Sequence, residues 1–423
     1  MSLSFVTMAG RILSLCAFDV LPPASGGALR VAAINQGLAA LGWQVTQYIA
    51  FPSLSRRLSQ GRSPMRSLRP GWREHYARGL ALKLPAWLLN RLGLPPLAAD
   101  LSPRCLLGEP ALRRLLTQAD VVIAEHPWLF RPVFRLGGAQ AARWVLDAHN
   151  LEYPLYAARG GGRLHALAAR RVRALEAFAF RHADISFVVS NEDAVAAHDR
   201  YGVAPGALAV APNGVDCTTL RPVTAAVRQQ RKRMLGLGDG PVVLFVGANW
   251  PPNVEAARAV LQLAAALADT PLLFVIAGAV GDALAHDPRP ARVRLTGAVD
   301  EMRPWLEAAD LALNPMRSGG GSNIKLLEYL ACGLAVISTP FGARGLDLVP
   351  GREAVIVPLA QFPAQLRAAA AALQPGAQHA HARRGETLLA LGHAGRHAVV
   401  ARFDWSAIVR GIHTALTAPA AGR

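Results

Sequence analysis

Short apolar runs recur along the chain, and stretches of helical periodicity separate them. Ile12–Ala17, ILSLCA, reads as a first buried strand. The loop Leu21–Gly27 follows it, and a helix from about Ala28 to Leu41 carries Val31, Ile34, Leu38 and Leu41 on one face. Gln44–Ala50 is the next strand. Ala119–Ala124 and Trp144–Asp147 are further strands, followed by Glu125-His126-Pro127 and by Ala148-His149-Asn150. A long amphipathic helix, about Leu164–His182, leads to the strand Ile185–Ser190. The same alternation returns beyond Pro241, with strands at Pro241–Gly247, Leu272–Ala277, Val293–Leu295, Asp310–Asn314, Leu334–Ser338 and Val355–Val357. Continuous apolar strands alternating with helices predict parallel sheets covered on both faces. The fold class expected is α/β, with two Rossmann-like doubly wound domains.

Ligands bind open parallel sheets at the carboxyl ends of the strands. Gly26 and Gly27 follow the first strand, and His126 and His149 follow two others, so all four are expected near a ligand rim. A structural role competes with this reading for each histidine, since a strand end also suits a capping or core imidazole.

The segment Met316–Leu346 carries the most chemistry. Gly319–Gly321 predict a loop, Ser322 an N-cap, the stretch to about Cys332 a helix, and Gly333 its stop. A glycine loop entering a helix N-terminus exposes N–H groups and the positive end of the dipole to an anion. Lys325 and Glu328 stand three apart on one helical face. The lysine can face a phosphate, and the carboxylate can accept vicinal hydroxyls of a sugar. The chain uses arginine almost throughout, its only lysines being Lys83, Lys232 and Lys325. A lysine in this helix is therefore not an average surface choice. The loop is not a Walker A motif, because neither the glycine spacing nor the residue after the lysine fits.

Composition narrows the partners. The 423 residues carry a formal charge of +17, with 52% hydrophobic positions. That balance favours polyanions such as phosphorylated substrates, anionic lipid or nucleic acid. No helix-turn-helix, zinc or aromatic RNA-binding pattern supports the last. Four dispersed cysteines argue against a disulfide framework or zinc site. No apolar run approaches the roughly 20 residues of a membrane span, and a cytoplasmic protein is expected. Residues 51–118 differ from their surroundings. Arg56, Arg57, Arg62, Arg66, Arg69, Arg73 and Arg78 lie beside Trp72, Tyr76 and Trp87. This mixture suggests peripheral contact with anionic membrane, and competes with an insertion packed on its own domain.

GGGSNIKLLE (Gly319–Glu328), the DAHN string at Asp147–Asn150, the Pro-Asn-Gly-Val-Asp string at Pro212–Asp216 and Gly26-Gly27 with Arg30 together resemble retaining family-four glycosyltransferases. The subset resembled has a Gly-Gly-Gly-x-x-x-Lys-x-x-Glu donor loop. In many members a first glutamate stands eight positions before the second; here Gly320 takes that place. The resemblance implies the GT-B architecture, with an acceptor domain (1–220), a donor domain (221–400), a C-terminal helix crossing back (401–423), and the active site in the cleft. It implies transfer of a sugar, with retention and without a metal, from a UDP- or GDP-sugar to a glycan or lipid-linked acceptor. The setting it implies is assembly of a surface polysaccharide or glycolipid, with no nucleic acid and no further cofactor; the basic segment would bring this cytoplasmic enzyme to the inner face of the plasma membrane. His149 and Lys325 are the expected catalytic residues. Gly26, Gly27, Gly320, Gly321, Ser322, Asn323, Lys325 and Glu328 are the expected substrate-binding set. A sugar-nucleotide epimerase on the same double fold is the competing enzyme, and a basic nucleic-acid-binding protein the competing non-enzyme.

Overall fold

A computed structural model describes residues 9–23, 25–51, 53, 65–77, 110–139, 141–158, 162–319, 323–374 and 379–419. The chain divides into two units, residues 1–212 with 408–423, and residues 213–407.

In the first unit β1 (Gly10–Cys16), α1 (Gly26–Ala40) and β2 (Trp43–Ile49) open a doubly wound sheet. Next come β3 (Met65–Arg69), β4 (Trp72–Tyr76), α2 (Pro110–Gln118), β5 (Val121–Glu125), α3 (Phe130–Leu136) and β6 (Arg143–Ala148). Then follow α4 (Glu152–Ala158), α5 (Arg163–His182), β7 (Ile185–Val188), α6 (Asn191–Tyr201) and β8 (Leu208–Val210). The order is β3-β4-β2-β1-β5-β6-β7-β8. Every neighbouring pair is parallel except the antiparallel pair β3/β4. The strand order reverses between β1 and β5, so the crevice-forming end of this sheet lies beyond Cys16 and Glu125. Leu13, Leu15, Val122, Phe130, Trp144, Leu146 and Phe180 pack into one core.

The β3/β4 pair corrects the reading of residues 51–118 in part. Gly71, at φ +75°, turns a hairpin whose second strand runs parallel to β2 and widens the sheet. Trp72 and Tyr76, expected at a lipid interface, are core residues, 2% and 6% exposed. Sheet hydrogen bonding and a neighbouring face of apolar side chains claim them before lipid can. Arg66, Arg69 and Arg73 remain exposed. Arg56, Arg57, Arg62, Arg78 and Trp87 lie outside the described residues.

The second unit carries α7 (Ala225–Met234), β9 (Val242–Val246), α8 (Pro251–Ala266), β10 (Leu273–Ala277), β11 (Val293–Leu295), α9 (Arg303–Ala308) and β12 (Leu311–Asn314). It continues with α10 (Ile324–Ala331), β13 (Ala335–Ser338), α11 (Pro340–Ala343), β14 (Val355–Ile356), α12 (Phe362–Ala372) and α13 (His379–Arg402). The sheet order is β11-β10-β9-β12-β13-β14, all parallel. This is the 3-2-1-4-5-6 order of a dinucleotide-binding sheet, with its reversal between β9 and β12. Period-two alternation sends Val242 and Leu244 to one core, with Leu326, Leu330 and Val336. Val243 and Phe245 go to the other, with Phe274, Ile276 and Phe362.

A last helix, α14 (Trp405–Thr417), places residues from Ile408 onward with the first unit. There Trp43 Nε1–H donates to His413 Nδ1 at 2.9 Å, and a side chain at Gly37 would collide with Val409.

Candidate functional site

In the first unit the carboxyl ends of β1, β5 and β6 carry a buried polar cluster inside an apolar core. Gly26 and Gly27 are not loop residues, as their composition suggested. They open α1 behind the N-cap Ser25, whose hydroxyl accepts from Ala28 N–H at 3.2 Å. Helical glycine here brings bare backbone against the rim: a Cβ on Gly27 would stand 3.1 Å from His149 Nδ1.

His149 follows β6 and is buried. Its Nε2 lies 3.1 Å from Glu125 Oε2 and 3.3 Å from Asp147 Oδ2. Its Nδ1 is buried with no hydrogen-bond partner. Asp147 is held by both nitrogens of a buried fork, Arg30 Nε at 2.9 Å and Nη2 at 2.6 Å. Arg30 also donates from Nη1 to Pro212 O at 2.9 Å. Burial alone would raise the Asp147 pKa, but Arg30 and His149 outweigh it and hold the carboxyl well below the usual range. For His149 burial favours the neutral ring, yet Asp147 and Glu125 win and raise its pKa to about 9. Burial pushes the Glu125 carboxyl up against the pull of His149.

His126 lies against this ring at a 47° tilt, the centroids 4.0 Å apart, and adopts a left-handed φ of +70°. Its Nδ1 lies 3.1 Å from Glu152 Oε1. Burial, then the charge on His149, lowers its pKa. The start of α4 is fixed in turn by Glu176, which accepts from Glu152 N–H at 2.5 Å, Tyr153 N–H at 2.9 Å and Tyr201 O–H at 2.6 Å. Burial still pushes Glu176 up to about 7.

Among the described residues, Glu125, Asp147 and His149 form the one group whose ligand atoms are close enough to share a cation, within 4.8 Å of one another. The donor set does not suit one. Arg30 already neutralises Asp147, Ser14 donates to Glu125 Oε1 at 2.9 Å, and both remaining oxygens face His149 Nε2.

In the second unit the loops after β9 and β12 meet at the switch point. α10 begins at Ile324 with Asn323 as N-cap, one residue later than the cap expected at Ser322. Asn323 does not cap with its side chain; Nδ2 donates instead to Gly342 O at 2.8 Å. Gly320, Gly321 and Ser322 lie outside the described residues. Gly319, at φ +127°, packs under Trp250, whose ring would be 3.2 Å from an added Cβ. Trp250 is thus a packing partner of the loop. Glu255 on α8 ties the loop's entry, accepting from Ser318 O–H at 2.8 Å and pairing with Arg317 at 2.8 Å.

Lys325 Nζ donates to Asn253 Oδ1 at 2.6 Å and lies 4.5 Å from the Phe245 ring centroid. Burial lowers its pKa to about 7, with Glu328 opposing. Burial likewise raises Glu328 to about 7, with Lys325 opposing. The two charges feel each other without touching, and no hydrogen bond or ion pair holds the Glu328 carboxylate among the described residues. A half-buried lysine and a half-buried carboxylate one turn apart, at a sheet's switch point, can take a phosphate and a diol from one ligand.

Sequence reasoning named His149, Lys325 and Glu328 but not the groups that hold them. Asn253, Glu125 and the Arg30–Asp147 pair become visible only once distant strands are neighbours. The available signal was polar residues inside apolar patterns: Ser14 in β1, Asn35 on the apolar face of α1, Gln47 in β2 and Glu125 at the end of β5.

Residues 24–219 match the family described as Glycosyltransferase Family 4, and residues 240–374 match Glycosyl transferases group 1. Comparison with curated protein sequences finds no match. The fold is similar to sucrose-phosphate synthase from Thermosynechococcus elongatus (TM-score 0.69, 16% identity, covering 95% of this chain and 97% of that one). It is also similar to HepE of Anabaena in complex with UDP and glucose (TM-score 0.66, 13% identity, 96% and 99% covered). A third similar structure is WaaG, a glycosyltransferase involved in lipopolysaccharide biosynthesis (TM-score 0.63, 15% identity, 96% and 100% covered). Two family models, each over less than half of the chain, and similar structures with the same two-domain GT-B fold support a family-4-like glycosyltransferase.

Proposed function

We propose that the protein moves a hexosyl group from a UDP- or GDP-sugar to a glycan or lipid-linked acceptor, with retention and without a metal ion. The observation that carries this reading is the Lys325–Glu328 pair on α10. Glu328 offers an unclaimed carboxylate to the ribose hydroxyls. Lys325, one turn away, offers its charge to the diphosphate, where negative charge gathers as the glycosidic bond breaks. The N–H groups at the start of α10, with the glycine-loop residues Gly320, Gly321, Ser322 and Asn323, add partial positive charge. Gly26 and Gly27 at the start of α1 leave room for a ligand beside His149, whose role in this reading is to contact the transferred sugar. The bound UDP and glucose of HepE favour a uridine nucleotide, and the pathway of WaaG favours a glycolipid acceptor.

Catalysis at the cytoplasmic face of an anionic membrane belongs to the same proposal. Arg66 and Arg69, exposed on β3, are its best-placed contacts. Replacing both with Ser should weaken sedimentation with anionic vesicles at low salt, and a parent that never sediments would end the idea.

Thermal scanning against a panel of nucleoside diphosphates tests the donor reading. UDP or GDP at about a hundred times its Kd should add about 2.7 kcal/mol to stability. A melting temperature unmoved by every nucleotide, and by every nucleotide sugar, would overturn it.

A further inference from the structure

His149 ends a continuous chain of buried side chains that runs across the first unit's sheet. Gln47 Nε2 donates to Glu74 Oε1 at 3.2 Å, and Asn35 Nδ2 donates to Gln47 Oε1 at 3.1 Å. Asn35 Nδ2 also donates to Ser14 Oγ at 3.3 Å, and Ser14 Oγ–H donates to Glu125 Oε1 at 2.9 Å. Glu125 then presents Oε2 to His149 Nε2. Each of these side chains is buried, on β4, β2, α1, β1 and β5. Ordering so many polar groups in an apolar interior costs stability unless each finds a partner with the right geometry. Here the geometry converges on one ring nitrogen.

We propose that Glu125 is a positioning residue that, with Asp147, clamps His149 through Nε2–H and so makes Nδ1 the atom this histidine offers to a ligand oxygen. The inference rests on the reading of His149 as a sugar contact. Asp147, held ionised by Arg30, only accepts, so Nε2 must carry hydrogen. Nδ1 is the buried atom left without a partner, and it lies against Gly27, where an added Cβ would stand only 3.1 Å away. With Glu125 ionised beside the Asp147–Arg30 pair, the cluster is neutral only when His149 is an imidazolium, and Nδ1–H is then a donor. The facing groups from the packed elements are Arg30 of α1 and His126 after β5, which oppose that charge, and Asp147 of β6, Glu125 of β5 and Glu152 of α4, which favour it. The acids prevail, in line with the raised pKa of His149. A ligand matched to this atom brings a hydroxyl or phosphate oxygen as acceptor.

The test is a nuclear magnetic resonance titration of labelled histidine in the parent, in Glu125→Gln and, for assignment, in His149→Gln. In the parent, His149 should stay doubly protonated through pH 8. In Glu125→Gln its deprotonation should move down by about one pH unit or more, because the amide can accept but brings no charge. With a turned-over donor, the basic limb of kcat/KM should move down by the same amount while KM for the nucleotide sugar holds. A merely structural Glu125 would lower activity without moving that limb. Equal midpoints in parent and variant, or a neutral ring protonated on Nδ1 in the parent, would overturn the inference, as would a His149 resonance that shifts on adding magnesium or manganese. Should Glu125→Gln fail to fold, the parent spectrum alone still decides whether both ring nitrogens hold protons through pH 8. If no nucleotide sugar is ever turned over, the glycosyl-transfer reading fails, while the resonance titration still decides the role of Glu125.

Discussion

The ammonium of Lys325 rests against Phe245 and Met316 and meets one side-chain oxygen, from Asn253. With its pKa lowered to about 7 from 10.5, charging Lys325 costs stability below pH 7, and that cost fades as pH rises toward 10.5. Glu328, raised to about 7 from 4.5, costs stability above pH 7, and its cost fades as pH falls toward 4.5. A bound diphosphate would restore the lysine's charge. Nucleotide binding should therefore take up a proton and weaken as pH rises from 7 to 9. Lys325→Met should flatten that dependence in a calorimetric titration, and should lower kcat by about two orders of magnitude, the scale of one lost preorganised donor. A Met variant with parental turnover would place the charge elsewhere. Gly27 offers a second separation of stability from activity. Alanine at this first-turn position gains helix propensity on the order of 0.5–1 kcal/mol, yet its Cβ would stand 3.1 Å from His149 Nδ1. Gly27→Ala should hold its melting temperature within a few degrees, while its kcat/KM falls at least about tenfold, on the order of 1.4 kcal/mol of transition-state stabilisation. Lys325 and Glu328 were legible because helix periodicity alone puts them on one face. Asn253 and Glu125 were not, because their partners lie 72 and 24 positions away along the chain.

α10 is held at its end as well as its start. Gly333, at φ +70°, closes it: Gly333 N–H donates to Leu330 O at 2.9 Å and Leu334 N–H to Tyr329 O at 3.1 Å. Arg396 of α13 donates to the final carbonyl, Ala331 O, putting a cation at the negative end of the helix dipole. Gly392, one turn earlier on α13, sits so close that an added Cβ would collide with Gly333 O. Gly392→Ala should cost on the order of 1–3 kcal/mol through overpacking, read as a lower denaturation midpoint. An unchanged midpoint would mean α13 can shift without disturbing α10. The stop at Gly333 was legible from glycine after an apolar helix. The β3/β4 hairpin was not, because WREHY carries Glu74 and His75, and only a sheet edge supplying Gln47 and the Tyr48 ring to them makes that stretch a buried strand.

At the scale of the molecule, two doubly wound sheets each present one chemically distinct rim. The rim of the first is a balanced cluster of acids, arginine and histidine beside a glycine helix start; the rim of the second is a lysine and a carboxylate beside a glycine loop. The alternation of apolar strands and helices made both sheets legible, since continuous apolar runs require cover on both faces. The +17 charge bore on partners and left the fold open. The central claim is that α10 binds a nucleotide sugar through Lys325 and Glu328. Calorimetric titration of UDP and GDP into the parent and into Glu328→Gln tests it most directly. The account predicts that one nucleotide binds the parent and that the amide, having lost charged hydrogen bonds of about 1.5–3 kcal/mol each, weakens binding at least about tenfold with the fold intact. A parent that binds neither nucleotide, or a glutamine variant that binds as tightly as the parent, would contradict it.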